Sequence, residues 1–261
     1  MSSLIIRSLT GLSYASIIVI TLFFDVRLFS FVIFFFSCLV IYEFQKLLDL
    51  TNITPYILLG FLCFYFLAEK VPNKIILFML YITLISHFLM LRWLFKGKFK
   101  SKLVTMFLTY GYIVFSCFFI FLIPHSYGIY NPKIMLFVFS INWVNNSFAY
   151  FFGKKFGKNK LLPKVSPNKS WEGFFSGLLF SIITGFIFFK LKITMKPFLI
   201  IILTILIPIL ATLGDLIQSK IKRDAGVKDS GNILPGHGGF FDRMDSVIFI
   251  SPWAYFILNQ F

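Results

Sequence analysis

The feature that most constrains this chain is a rhythm of nine apolar runs separated by short polar breaks. The runs fall at 9–24, 28–42, 53–68, 75–95, 103–124, 134–152, 173–189, 197–217 and 246–260. A bilayer core takes about 20 apolar residues per helix, so the second and ninth runs are short for the task. The composition leaves little alternative. Of 261 residues, 58% are hydrophobic and 13% charged, with 38 Phe, against roughly a quarter charged in soluble domains. That much apolar surface has no place to hide in a soluble fold of this length. Disordered chains lack aromatics and β-branched residues. The three cysteines, Cys38, Cys63 and Cys117, lie inside apolar runs, where they are structural thiols rather than a disulfide framework. The expected fold class is an all-α polytopic integral membrane protein with about nine transmembrane helices.

Charge gives the orientation. The net charge is +15. On a membrane protein this points to anionic headgroups and the positive-inside rule rather than to nucleic acid. With nine spans, 18 of the basic residues fall on the side of the N-terminus and 7 on the other. That asymmetry predicts a cytoplasmic N-terminus and places two long polar loops, 153–172 and 218–245, in the cytoplasm. The cluster Lys96–Lys102 reads as topological. The N-terminus resembles a signal peptide only weakly, with no small-residue cleavage site, so it is expected to be a retained first helix. No internal repeat supports an inverted-repeat transporter.

The chemistry concentrates near the end of the chain. Five of the ten acidic residues are Asp215, Asp224, Asp229, Asp242 and Asp245, and Lys220, Lys222, Arg223, Lys228, Arg243 and His237 share the segment. Asp215 closes an apolar run and Asp242 and Asp245 open the next, where unpaired carboxylates are costly. Asp242 and Asp245 are three apart, so a helix puts them on one face. Three such carboxylates suit a hard divalent cation, which takes oxygen ligands and bridges to phosphates. The surrounding cations suit anionic oxygens. The run Pro235-Gly236-His237-Gly238-Gly239 offers a backbone that tolerates positive φ and close approach. Phosphoryl or nucleotidyl transfer to a lipid follows as the expected chemistry. No P-loop or dinucleotide glycine motif is present.

The series Ser219-Lys220-Ile221-Lys222-Arg223, Lys228-Asp229-Ser230-Gly231 and Leu234-Pro235-Gly236-His237-Gly238-Gly239-Phe240-Phe241-Asp242-Arg243-Met244-Asp245 resembles the signature of the phosphatidate cytidylyltransferases, or CDP-diacylglycerol synthases. A second block, from Ala149-Tyr150 through Gly153 and Phe156-Gly157 to Ser166-Pro167-Asn168-Lys169-Ser170-Trp171-Glu172-Gly173, is similar to the same family. The resemblance covers roughly the last 120 residues. It divides the chain into N-terminal transmembrane helices, 1–133, and a C-terminal catalytic region, 134–261. It implies transfer of CMP from CTP to phosphatidate, Mg²⁺ dependence with the number of cations left open, and a homodimer; the compact size and lack of a targeting extension point to a bacterial inner membrane, and the charge asymmetry to an active site on its cytoplasmic side. The resemblance also implies Asp215 and Asp242 as metal ligands with Asp245 in support. One departure stands out: many relatives carry an Asp shortly before the Ala-Tyr pair, where this chain reads Asn145-Asn146-Ser147.

Within that reading, Lys222, Arg223, Lys228 and Arg243 are expected to bind phosphate, and Asp229 to ligate or to orient Lys228. His237 is a hydrogen-bond donor. A phosphate monoester is largely ionised near neutral pH, its second pKa being about 6, and needs little help from a base. Ser166, Lys169, Ser170, Ser219, Gly238 and Gly239 are the expected substrate-binding residues, with Ser170 also placed to cap a helix beginning near Glu172. His87 reads as a satisfied buried imidazole, and His125 lies on the outer side. Two other readings remain at this point. One is another CTP-using membrane lipid enzyme, such as a polyprenol kinase or an ether-lipid cytidylyltransferase. The other is an anion transporter, which the scarcity of charge inside the spans disfavours.

Overall fold

The computed structural model describes residues 3–68, 71–97, 102–193, 195–233 and 238–260. Each of the nine apolar runs is helical. The helices are α1 (Ser3–Phe24), α2 (Val26–Leu47), α3 (Thr54–Ala68), α4 (Asn73–Lys96), α5 (Lys102–Leu108), α6 (Phe115–Leu122), α7 (Pro132–Phe156), α8 (Trp171–Lys190), α9 (Pro197–Asp224) and α10 (Phe241–Gln260). A π-helical turn, Thr109–Val114, joins α5 to α6 into one continuous helix. Among the described residues, six helices are long and apolar enough to cross a membrane: α2, α4, the α5–α6 rod, α7, α8 and α9.

The local causes are legible. Asp25 caps α2 by accepting from Arg27 N and Leu28 N, and Asn131 caps α7 through Lys133 N. Helix α9 closes on Gly226, φ +73°, with Gly226 N donating to Arg223 O and Val227 N to Lys222 O, the paired bonds of a glycine-terminated helix. Two proline interruptions are tolerated. In α10, Pro252 cannot donate to Ile248 O, and Ser251 Oγ donates to that carbonyl and, at 2.6 Å, to Ser116 O.

Helix α10 is the axis of the fold, in contact with α2, α4, α6, α7 and α9. Thirteen of its residues are buried, so it is enclosed by protein. That explains how a helix with Asp242, Arg243 and Asp245 in its first turns can sit centrally. Helix α8 lies outside, with Phe175, Leu179, Ile182 and Phe186 exposed along it as a lipid-facing helix requires. It packs closely on α7 because Gly173 and Gly177 leave no room for a side chain: a Cβ at Gly173 would come 2.6 Å from Ala149 O. His87 is fully buried as expected, accepting at Nδ1 from Trp253 Nε1 at 3.1 Å and lying 3.1 Å from Ser116 Oγ.

The polar breaks differ from expectation in three places. The loop expected at 218–245 is helical to Asp224, because Gln218–Asp224 contains no breaker before Gly226, and helical again from Phe241. The loop expected at 153–172 holds an antiparallel hairpin, β1 (Lys160–Leu162) with β2 (Ser166–Ser170), the only two strands among the described residues. The break expected from Glu43 begins later, because α2 runs on to Leu47 and carries Glu43 into the interior.

The two long segments do share one end of the bundle, as expected. Lys169, just before α8, reaches Asp215 on α9. Lys220 near the end of α9 donates to Trp93 O and Leu94 O near the end of α4 and lies over the Trp93 ring. Glu43 near the end of α2 meets the start of α10. At the other end, Tyr130 Oη donates to Leu22 O, and His125 packs on Phe66.

Candidate active site

A cavity of about 1220 Å³ opens where α1, α7, α8, α9, α10 and the hairpin meet. Its wall includes Asp215, Lys222, Asp229, Asp242, Arg243 and Asp245 from the end of the chain. Ser166, Lys169 and Ser170 come from the hairpin, and Asn142, Asn145 and Asn146 from α7. Helix α1 adds Gly11, Leu12, Tyr14 and Ala15. Small-molecule sites run to about 300–1,000 Å³, so the volume suits a nucleotide together with a second headgroup.

Asp242 is the most heavily held group. Its Oδ1 accepts from Lys222 Nζ at 2.5 Å and Gln218 Nε2 at 2.7 Å. Its Oδ2 accepts from Ser230 N at 2.9 Å, Ser230 Oγ at 3.0 Å and Gly239 N at 3.0 Å. Burial pushes this carboxyl up, but the Lys222 charge and the N–H donors outweigh it and hold the group below its usual range. Gly238 has φ +80°, and a Cβ there would lie 2.6 Å from Asp242 Oδ2, so the position requires glycine.

Asp215 is more open. Its side chain is 35% exposed, and Lys169 Nζ lies 2.5 Å from Oδ2. Asp245 is buried and accepts from Ser246 N at 2.6 Å and Ser246 Oγ at 3.1 Å. It lies ahead of the apolar run 246–260. Burial first, and then the charge of Asp215, push its carboxyl up to about 7 against the pull of Lys169. Asn146 stands behind it: Nδ2 donates to Ser246 Oγ and to Asn142 Oδ1, both at 3.3 Å, and Oδ1 accepts from Asn145 Nδ2 at 3.1 Å. The neutral Asn at this place therefore orients the serine that carries Asp245.

The hairpin is fixed by Glu172, which accepts from Asn159 N at 3.0 Å and Asn159 Nδ2 at 2.8 Å. Ser170 Oγ caps α8 through Gly173 N at 3.2 Å, as expected, and Lys169 is thereby aimed at Asp215. Other expected residues fall elsewhere. Arg223 is exposed and donates to Val227 O at 3.1 Å, closing the end of α9. Lys228 is exposed and does not line the cavity. Ser219, Gly238 and Gly239 do not line the cavity, but Ser219 Oγ donates to Asp215 Oδ1 at 3.4 Å and Gly239 N holds Asp242. His237 lies outside the described residues. Gln218, Ser230, Ser246 and Glu43 were not anticipated. Gln218 sits one residue before the motif, and only its helical spacing from Lys222 could have signalled it.

Asp215 of α9 and Asp242 and Asp245 of α10 line the cavity together and are hard oxygen donors of the kind a divalent cation takes, but among the described residues no three metal-binding side chains are gathered closely enough to hold one.

A family model described as the cytidylyltransferase family matches residues 5–261. The chain is 40% identical over 146 residues to a phosphatidate cytidylyltransferase of Bacillus subtilis, covering 56% of this chain and 54% of that protein. It is 45% identical over 129 residues to one of Staphylococcus epidermidis (49% and 50%) and 44% identical over 127 residues to one of Staphylococcus haemolyticus (48% and 49%). The matched region spans about half the length of each of these relatives. With the family match running almost end to end over a helical membrane chain whose acidic and basic motif residues share one cavity, this chain belongs to the cytidylyltransferase family.

Proposed function

We propose that this protein is a phosphatidate cytidylyltransferase, transferring CMP from CTP to phosphatidate to give CDP-diacylglycerol and pyrophosphate. The observation that carries this reading is the single cavity that gathers Lys169, Lys222 and Arg243 beside Asp215, Asp242 and Asp245. A site that joins two polyanions needs both signs of charge.

A phosphate oxygen of phosphatidate attacks the α-phosphorus of CTP. A new P–O bond forms, the bond to the β-phosphate oxygen breaks, and pyrophosphate leaves with that electron pair. The attacking monoester is already ionised, with a second pKa of about 6, so no base is assigned. Lys169 exchanges Asp215 for phosphate oxygens, Lys222 adds its charge from its place on Asp242, and Arg243 offers a bidentate fork. Asp215 and Asp242, with Asp245 in support, are the residues that would hold Mg²⁺, which would neutralise charge on the triphosphate and the leaving group. The Asn146–Ser246 pair keeps Asp245 in place.

The chain crosses the bacterial cytoplasmic membrane nine times, with the N-terminus and the cavity mouth facing the cytoplasm. Its catalytic region, 134–261, is seated on the N-terminal helices of one protomer of a homodimer. The charge asymmetry and the convergence of the basic segments on one end support this orientation.

Purified protein in detergent with phosphatidate and Mg²⁺ provides the test. Label in the α-phosphate of CTP is expected in a chloroform-soluble product, and label in the γ-phosphate in pyrophosphate. Transfer of the γ-label to lipid would mean a kinase. Bound CTP with no lipid product would mean another acceptor. Absence of CTP binding would sink the reading.

A further inference from the structure

A buried carboxylate far from the motif segments holds the loop that presents Asp242. Glu43 lies on α2 and is 1% exposed. Its Oε2 accepts from Ser230 Oγ at 2.7 Å and Phe241 N at 2.9 Å, and its Oε1 from Phe240 N at 3.1 Å. Phe241 opens α10. A side chain from another helix thus satisfies N–H groups that a helix start leaves open, at the positive end of the helix dipole.

The same serine serves both carboxylates. Ser230 Oγ lies 2.7 Å from Glu43 Oε2 and 3.0 Å from Asp242 Oδ2, and Ser230 N and Gly239 N donate to Asp242. Position 230 and positions 239–241 are therefore gripped from one side by Glu43 and from the other by Asp242. The glycines record this grip. A Cβ at Gly231 would lie 2.5 Å from Glu43 Oε1, and one at Gly239 would press on Oε2. A buried carboxylate is costly unless its oxygens are hydrogen-bonded, and here all three donors belong to the segment that carries Asp242.

We propose that Glu43 is a positioning residue for the transfer reaction: through Ser230 and the start of α10 it fixes where Asp242, and with it Lys222, stands in the cavity. The inference rests on the cytidylyltransfer reading above for its kinetic consequence, and on the backbone contacts alone for the grip itself. Glu43→Gln keeps the size of the side chain but turns an NH₂ toward one of the N–H donors. The companion variant Gly239→Ala pushes a methyl group onto the same carboxylate. Val40→Ala, a buried residue on the same helix, is the control for lost packing.

The experiment measures kcat, the KM for CTP, the melting temperature and backbone hydrogen exchange across 230–241 in detergent. Glu43→Gln and Gly239→Ala are expected to lower kcat about tenfold, as loss of a supporting partner does at other catalytic sites. The KM for CTP stays within about twofold, and exchange at 230–241 quickens. Val40→Ala is expected to lower the melting temperature and leave kcat and exchange in place. If Glu43→Gln matches Val40→Ala, with a lower melting temperature but unchanged kcat and exchange, the residue is only structural and the proposal falls. If wild-type protein makes no CDP-lipid, the cytidylyltransfer reading falls separately. Exchange then decides the grip: faster in Glu43→Gln upholds it, unchanged overturns it.

Discussion

The two walls of the cavity are built differently. On the α10 wall, the Asp242 side chain is 6% exposed and has five donor groups about its two oxygens, one of them the Ser230 hydroxyl that it shares with Glu43. On the α9 wall, Asp215 is a third exposed, and its ion pair comes from one lysine on a hairpin. One carboxylate is part of the framework and the other is exchangeable. The lesson is that one residue type in one motif can serve both folding and chemistry, and its partners tell which. A group held by many donors moves little and fixes the geometry of its neighbours, whereas a group held by one lysine and a long serine hydrogen bond, Ser219 Oγ at 3.4 Å, can trade the lysine for a ligand.

The contrast can be broken by mutation. The largest effect is expected at Lys222→Met, which leaves Asp242 buried without its counter-charge. Removing one partner of such a pair costs about 3–5 kcal/mol, so both the melting temperature and transfer should drop sharply. Retention of stability would show that the α10 wall is less rigid than its hydrogen bonds imply. Asp215→Asn is expected to abolish transfer by about 10²–10³-fold, in the range of a lost electrostatic stabiliser, with melting almost unchanged. A large loss of stability there would erase the distinction between the walls.

Lys169→Met removes a partly exposed pair, whose contribution to stability is under about 1 kcal/mol. It should instead raise the KM for CTP about tenfold, the loss of one charge-assisted phosphate contact. The smallest effect is expected at Lys220→Met. Lys220 occupies the carbonyl end of α4 over Trp93, which costs about 1 kcal/mol through dipole and ring contacts. Transfer by the folded protein should stay within about twofold, and a larger loss would move Lys220 into the site.

Much of this was readable in the residues. Each of the nine apolar runs read from the sequence is helical, because helix satisfies the backbone of an apolar run within the run itself, though only six of the described helices are long and apolar enough to cross a membrane. The positions of Asp215, Asp242 and Asp245 at helix ends marked the cavity, and Ser170 announced itself as a cap. What stayed hidden is what tertiary packing decides. Glu43 sits among Tyr42, Gln45 and Lys46 and reads as the start of a polar break, yet α2 carries it inward because Phe44 and Ile41 on the same turn are fully buried. Arg223 has the composition of a phosphate ligand, but the glycine-terminated end of α9 turns it back onto Val227 O. The hairpin at 160–170 has no alternation of apolar and polar residues to betray it, since it is pinned by Glu172 and Asn159 rather than by a buried face. The role of Asn146 depends on Ser246, a hundred residues away.

The most direct test is transfer of α-phosphate-labelled CTP to phosphatidate by wild type, Asp242→Asn and Asp215→Asn, each with a melting curve in the same detergent. The account predicts a Mg²⁺-dependent lipid product from wild type and near-complete loss in both variants, with a lowered melting temperature in Asp242→Asn alone. A wild type that binds CTP but labels no lipid, or an Asp242→Asn variant that melts normally and still transfers, would contradict it.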